Sequence, residues 1–169
     1  MARSPWIVNV SSLKRTPGAI AHEERRAPMP GLRVTDSWVP EGCEVSVSVD
    51  LQATEGSVLI HGTIAAPWAG ECRRCLGPAA GEVSADVREL YEADGTGDDT
   101  YALRGDQVDL EPLARDAVLL ELPLAPLCTE GCLGLCLTCG ANRNEVDCGH
   151  DGGPPDPRWS ALDALKAPE

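Results

Sequence analysis

The clearest alternation along the chain is CEVSVSVDLQA at 43–53, where Val45, Val47, Val49 and Leu51 are separated by Glu44, Ser46, Ser48 and Asp50. A period of two puts the four apolar side chains on one face of a β-strand. Thr54-Glu55-Gly56-Ser57 supplies a turn, and SVLIHGTIAA at 57–66, rich in β-branched residues, predicts the second strand of a hairpin. GEVSADVRELYEA at 81–93 predicts a further strand, with Val83, Ala85, Val87 and Glu89 on one face. WIVNV at 6–10 reads as an edge strand. Residues 14–33 mix Pro, Gly and charge, which reads as a mobile arm or long loop, and 93–99 as an acidic loop.

At residue 109 the period changes. In VDLEPLARDAVLLELPL, Asp109 is placed to cap a helix, and Pro112 falls in the first turn, where its missing N–H costs nothing. Leu110, Leu113, Ala114, Ala117, Val118 and Glu121 follow the helical spacing, and the helix is expected to stop before Pro123. A glycine-threaded cysteine segment follows at 128–148, then DGGPPDP, then a short helix predicted at 158–166. The expected architecture is α+β: a β-rich antiparallel body at 1–127, partly closed or barrel-like, with one main helix and a basic N-terminal arm at about 1–33. A small module occupies 128–150, and a loop and C-terminal helix occupy 151–169.

Composition adds three constraints. With 43% hydrophobic residues the chain has material for a core, but it has no Phe and only 4% aromatics, so that core must be built from Val, Leu, Ile and Ala. Residues 1–33 carry six Lys or Arg against two Glu, a balance of +4, which leaves −17 of the net −13 for the other 136 residues. Such a body repels phosphate backbone and suits a basic protein partner, so an RNA contact is expected only through the N-terminal arm. No run of eighteen apolar residues is present, and the start lacks the apolar stretch of a secretory signal, so a cytoplasmic protein with no membrane contact is expected.

The cysteines carry the candidate chemistry. Cys128-x3-Cys132-x3-Cys136-x2-Cys139 offers four thiolates, and zinc takes four such ligands in a tetrahedron. A reducing compartment favours a metal over disulfides. The segment has too few large apolar residues to fold unaided, so a structural zinc, one per chain, is the expected source of its order. Cys148 and His150 are spare ligands, either of which can replace Cys128. A second pair, Cys72-Arg73-Arg74-Cys75, can instead join Cys136 and Cys139, and its arginines suit a contact with phosphate or carboxylate. There is no glycine-rich phosphate loop, no Ser/His/Asp grouping and no His-Glu-x2-His, so neither catalysis nor a small-molecule substrate is expected. The rival reading is a thiol redox sensor or enzyme using Cys72 and Cys75.

EGSVLIHGTIAAPWAGECRRCLGP (55–78), DLEPLARDAVLLELPLAPLC (109–128) and CLGLCLTCGANRN (132–144) together resemble the YceD-like family, named for large ribosomal RNA subunit accumulation. DPRWSALDAL at 156–165, and IVNVSSL and RTPG near the start, fit the same pattern. The resemblance implies a non-enzymatic cytoplasmic factor needed for normal levels of large-subunit ribosomal RNA; joined to the acidic charge of the body, it leads to the expectation of a basic large-subunit ribosomal protein or a pre-ribosomal particle as partner. It also implies that the stretch around Arg73 and Arg74 serves the shared function, with zinc an elaboration. Asn144 and Cys148 stand where relatives vary, which leaves the role of 148–150 open.

Overall fold

A computed structural model describes residues 4–16, 18–93, 95, 100–150, 158, 160 and 162. Strand β1 (Ile7–Asn9) leads into a single-turn helix α1 (Ser11–Lys14), then β2 (Ile20–Pro28), β3 (Ser37–Trp38), β4 (Glu44–Ala53), β5 (Ser57–Glu71) and β6 (Pro78–Glu92). Two short strands, β7 (Tyr101–Ala102) and β8 (Gln107–Asp109), precede helix α2 (Leu110–Glu121). The main sheet has the order β2-β4-β5-β6-β7, with β3 paired to the far end of β5, while β1 and β8 form a separate two-stranded ladder. Among the described residues nothing pairs β2 with β7, so the sheet is open and the barrel-like alternative does not hold.

The predicted hairpin is present, with Ala53 opposite Val58. Val45, Val47, Val49 and Leu51 point into the core together with Val58, Ile60 and Ile64 of β5. Helix α2 lays Leu110, Leu113, Ala114, Ala117 and Val118 against the same core. Asp109 caps it, its Oδ1 accepting from the Glu111 amide at 3.0 Å, and the helical geometry ends at Leu122, before Pro123. Glu121 is exposed, off the buried stripe. The Tyr91 hydroxyl donates to the Asp109 carbonyl at 3.0 Å and so fixes the start of α2 to β6.

Two segments depart from expectation. Residues 20–28 are not a loop: β2 pairs along its whole length with β4, from Ile20–Gln52 to Pro28–Glu44. Its burial alternates, but the inward positions Ala21, Glu23, Arg25 and Ala27 are small or charged, so no apolar alternation marks the strand, and backbone pairing to an established strand decides its conformation. β5 runs past its predicted end at 66 to Glu71, and β6 begins at Pro78, ahead of its predicted start at 81, forming a 15-residue ladder from Ser57–Glu92 to Glu71–Pro78. Pro67 marks an apparent stop, yet it lies beyond the last β4 partner, Ala65, and before β3 joins at Ala69. A strand missing one neighbour tolerates a proline. Most of the expected 158–166 helix, the 151–157 loop and the tip of the acidic loop lie outside the described residues.

The face of the sheet away from α2 is polar. There His22 Nδ1 lies 2.8 Å from Asp50 Oδ1 and His22 Nε2 3.6 Å from Glu24. The hydrogen bond to Asp50, opposed by desolvation and reinforced by Glu24, raises the His22 pKa above 6.5. A raised folded-state pKa means that the stability this proton adds is fully present below the unfolded value and lost as pH rises through the folded one. NMR titration is expected to give His22 a midpoint above 6.5 that falls back in Asp50→Asn. A wild-type midpoint at or below the ordinary value would refute the pairing.

Candidate metal centres

The long β5–β6 hairpin carries its connecting loop, Cys72 to Gly77, out beyond the main core. The loop closes through Cys72 N–H to Gly77 O and Leu76 N–H to Cys72 O, both 2.8 Å. Leu76 has φ +58°, a left-handed conformation that costs a non-glycine residue roughly 1 kcal/mol. The chain leaving α2 returns to this tip, where Arg73 N–H donates to Pro126 O at 2.9 Å. That return delivers Cys128 and Cys132.

The four sulfurs of Cys72, Cys75, Cys128 and Cys132 lie within 4.8 Å of one another. Cys72 to Cys132 is 3.7 Å and Cys75 to Cys128 is 3.6 Å. A tetrahedron with metal–sulfur bonds of about 2.3 Å has edges of about 3.8 Å, so the arrangement matches a tetrathiolate site. All eight cysteines are free thiols. Amide groups of Cys128 and Cys75 point at the Cys72 sulfur, outweigh burial, and lower its pKa to about 6. At Cys75 the Gly77 amide acts in the same direction, but burial and the neighbouring thiols prevail and push it up to about 12. Burial opposes ionisation of Cys132, but the Asn144 amide and the Gly134 N–H prevail and lower it, while hydrogen bonding with Cys132 raises Cys128. Two thiols ionise readily and two resist, an arrangement whose accumulated negative charge suits a cation.

The other four candidate ligands, Cys136, Cys139, Cys148 and His150, form a second group whose ligand atoms also lie within 4.8 Å of one another. The set read from spacing, Cys128, Cys132, Cys136 and Cys139, is therefore not brought together. Its first two members join Cys72 and Cys75, and its last two join the residues held as spares. Nor does the structure join Cys72 and Cys75 to Cys136 and Cys139.

Arg73 and Arg74 separate in role. Arg74 Nη1 donates to the carbonyls of Glu130 at 3.2 Å and Cys132 at 3.0 Å, clamping the module to the hairpin tip. Arg73 is exposed, and its side chain makes no hydrogen bond or ion pair among the described residues. Asn144, to which sequence reasoning gave no function, braces the first centre: its Nδ2 lies 3.2 Å from the Cys132 sulfur, and its Oδ1 accepts from Leu133 N–H at 2.8 Å. The only advance signal was its place two residues after Asn142, whose Oδ1 holds it at 2.8 Å. Cys72 is fully buried and Cys75 is 8% exposed, whereas a reactive thiolate is usually accessible to solvent.

The architecture defines the class: an open-sheet α+β protein with a cysteine-rich module fixed to a hairpin tip. The family model described as large ribosomal RNA subunit accumulation protein YceD matches residues 60–166, a span that contains every member of both clusters. The chain belongs to the YceD family. An uncharacterized protein of Mycobacterium bovis is 35% identical over 98% of this chain and 84% of its own length. One from Mycobacterium leprae is 33% identical over 98% of this chain and 80% of its own. The Arabidopsis thaliana large ribosomal RNA subunit accumulation protein YCED homolog 1, chloroplastic, is 29% identical over 76% of this chain and 51% of that protein. No solved structure matches. Among the described residues no helix is long and apolar enough to cross a membrane.

Proposed function

We propose that this protein is a non-enzymatic cytoplasmic factor that supports accumulation of large-subunit ribosomal RNA by binding a basic large-subunit ribosomal protein or a pre-ribosomal particle. The observation that carries this reading is the family match across 60–166, which includes the hairpin tip with its exposed Arg73. Charge directs the contact to protein: the −17 carried by residues 34–169 attracts a basic partner and repels bare RNA. Any RNA contact falls to the basic segment 1–33, where Arg15 and Arg26 are exposed. Zinc at Cys72, Cys75, Cys128 and Cys132 is structural, since four protein ligands leave no position for a substrate. It holds the module against the tip and shapes the surface around Arg73.

Depletion is expected to lower large-subunit RNA relative to small-subunit RNA. A tagged pull-down is expected to retain a basic large-subunit protein or an immature particle, and to lose it as salt rises. Arg73→Glu reverses one exposed charge and is expected to weaken that complex roughly tenfold with the fold unchanged. An unchanged RNA ratio on depletion would overturn the assembly role, and full activity of Arg73→Glu would remove Arg73 from the contact.

A further inference from the structure

The turn Cys136-Leu137-Thr138-Cys139-Gly140 repeats the backbone of Cys72-Arg73-Arg74-Cys75-Leu76. Cys136 N–H donates to Ala141 O at 2.8 Å, as Cys72 N–H does to Gly77 O, and Gly140 N–H donates to Cys136 O at 2.8 Å, as Leu76 N–H does to Cys72 O. The residue after the second cysteine is left-handed in both, with φ +72° at Gly140 and +58° at Leu76. In each turn the first sulfur accepts from the amides two and three residues on, Arg74 and Cys75 in one and Thr138 and Cys139 in the other. The two turns share only their cysteines in sequence, so the common feature is the presentation of two sulfurs to one side, backed by N–H groups.

Opposite the second turn, Gly149 at φ +65° bends the chain so that Cys148 and His150 face the same point. Among the described residues this group has little apolar packing of its own: Leu133, Leu137 and Val146 are 60%, 100% and 54% exposed, and Leu135 packs against the first cluster. It is nonetheless ordered, through the Leu135–Asn142 bridge and Arg143 N–H to Gly134 O at 2.9 Å. Hydrophobic burial does not account for that order, and three converging thiols cannot all ionise without a counter-charge. A divalent metal supplies both requirements, and three thiolates with one imidazole form a closed tetrahedral set of the structural kind.

We propose that Cys136, Cys139, Cys148 and His150 form a second zinc centre, separate from the four-cysteine centre at the hairpin tip. The buried centre fixes the module to the body, whereas this one folds the module's outer half. Cys139 and His150 are exposed where Cys72 and Cys132 are buried, so the second centre is open to chelators and is the first to empty. The proposal depends on zinc at the buried centre only for the total of two.

Native mass spectrometry of the full chain, purified with a thiol reductant, tests it. The wild type is expected to carry two zinc ions, and the variant Cys139→Ser with His150→Ala one. Cys43→Ser, which alters the cysteine outside both groups, is expected to keep two. A short exposure to chelator is expected to bring the wild type, but not the Cys139/His150 variant, down by one ion. A wild type with one ion that the Cys139/His150 variant retains would overturn the second centre and leave the first standing. Two ions in that variant would overturn the ligand assignment, and loss of both would overturn the separation of the centres. A wild type with no zinc would overturn both centres.

Discussion

Replacing Cys72 and Cys132 together by Ser will release one metal and free residues 128–135 from the hairpin tip, while the main sheet and α2 stay folded. Serine nearly matches cysteine in size, but its hydroxyl does not ionise near neutral pH, so two of four ligands are lost. Structural zinc sites in small peptides have apparent binding energies of about 10–16 kcal/mol, far above what the remaining contacts at the tip supply. The cysteines pack in their own small cluster with Ala79, flanked by Leu127 and Leu135, and among the described residues Trp68 is the apolar side chain packed against both this cluster and the main core. Losing the metal therefore leaves the main core intact. The expected readouts are one fewer zinc by mass, new proteolytic cuts after Leu127, and a far-UV circular dichroism spectrum close to wild type. Global unfolding would show that the tip is integral to the main core, and undiminished metal would show that these sulfurs do not hold it.

Gly62→Val is expected to destabilise the protein by about 3 kcal/mol or more, although valine is the better strand former. Gly62 lies in β5 opposite Val49 of β4. A Cβ there would sit 2.2 Å from the Ser48 carbonyl oxygen and 2.7 Å from Val49 Cα, both backbone atoms that cannot turn aside. Strand propensities span only about 1 kcal/mol, so the clash decides the sign. The cost falls on the pairing of β4 with β5, which carries Val47, Val49, Ile60 and Ile64 into the core. Denaturant titration reads the effect, and a midpoint equal to wild type would show that β4 gives way without loss.

Several elements were legible in the sequence because their signals are local. The alternation at 45–51, the turn at 54–57, the Asp109 cap and the Pro123 stop each act within one or two turns of chain, and the structure has a strand, a turn and a helix at those places. The members of the two clusters were legible to the same extent: each of them, Cys148 and His150 included, stood out by residue type. Strand β2 was not, because its residues are placed by the backbone of β4 and not by an apolar face of their own. Nor was the partition of the ligands. Cys75 meets Cys128 across 53 positions and Cys72 meets Cys132 across 60, and no local spacing encodes such a meeting. It depends on the length of the β5–β6 ladder, which sets how far out the first turn sits, and on the end of α2, which sets where the chain returns. The sequence alone determined that the chain would hold strands, one capped helix and thiols of the kind that can ligate a metal. Which thiols share a centre was decided only by the tertiary structure, because a tetrahedral site requires four sulfurs within a few ångströms in space, however far apart they lie along the chain.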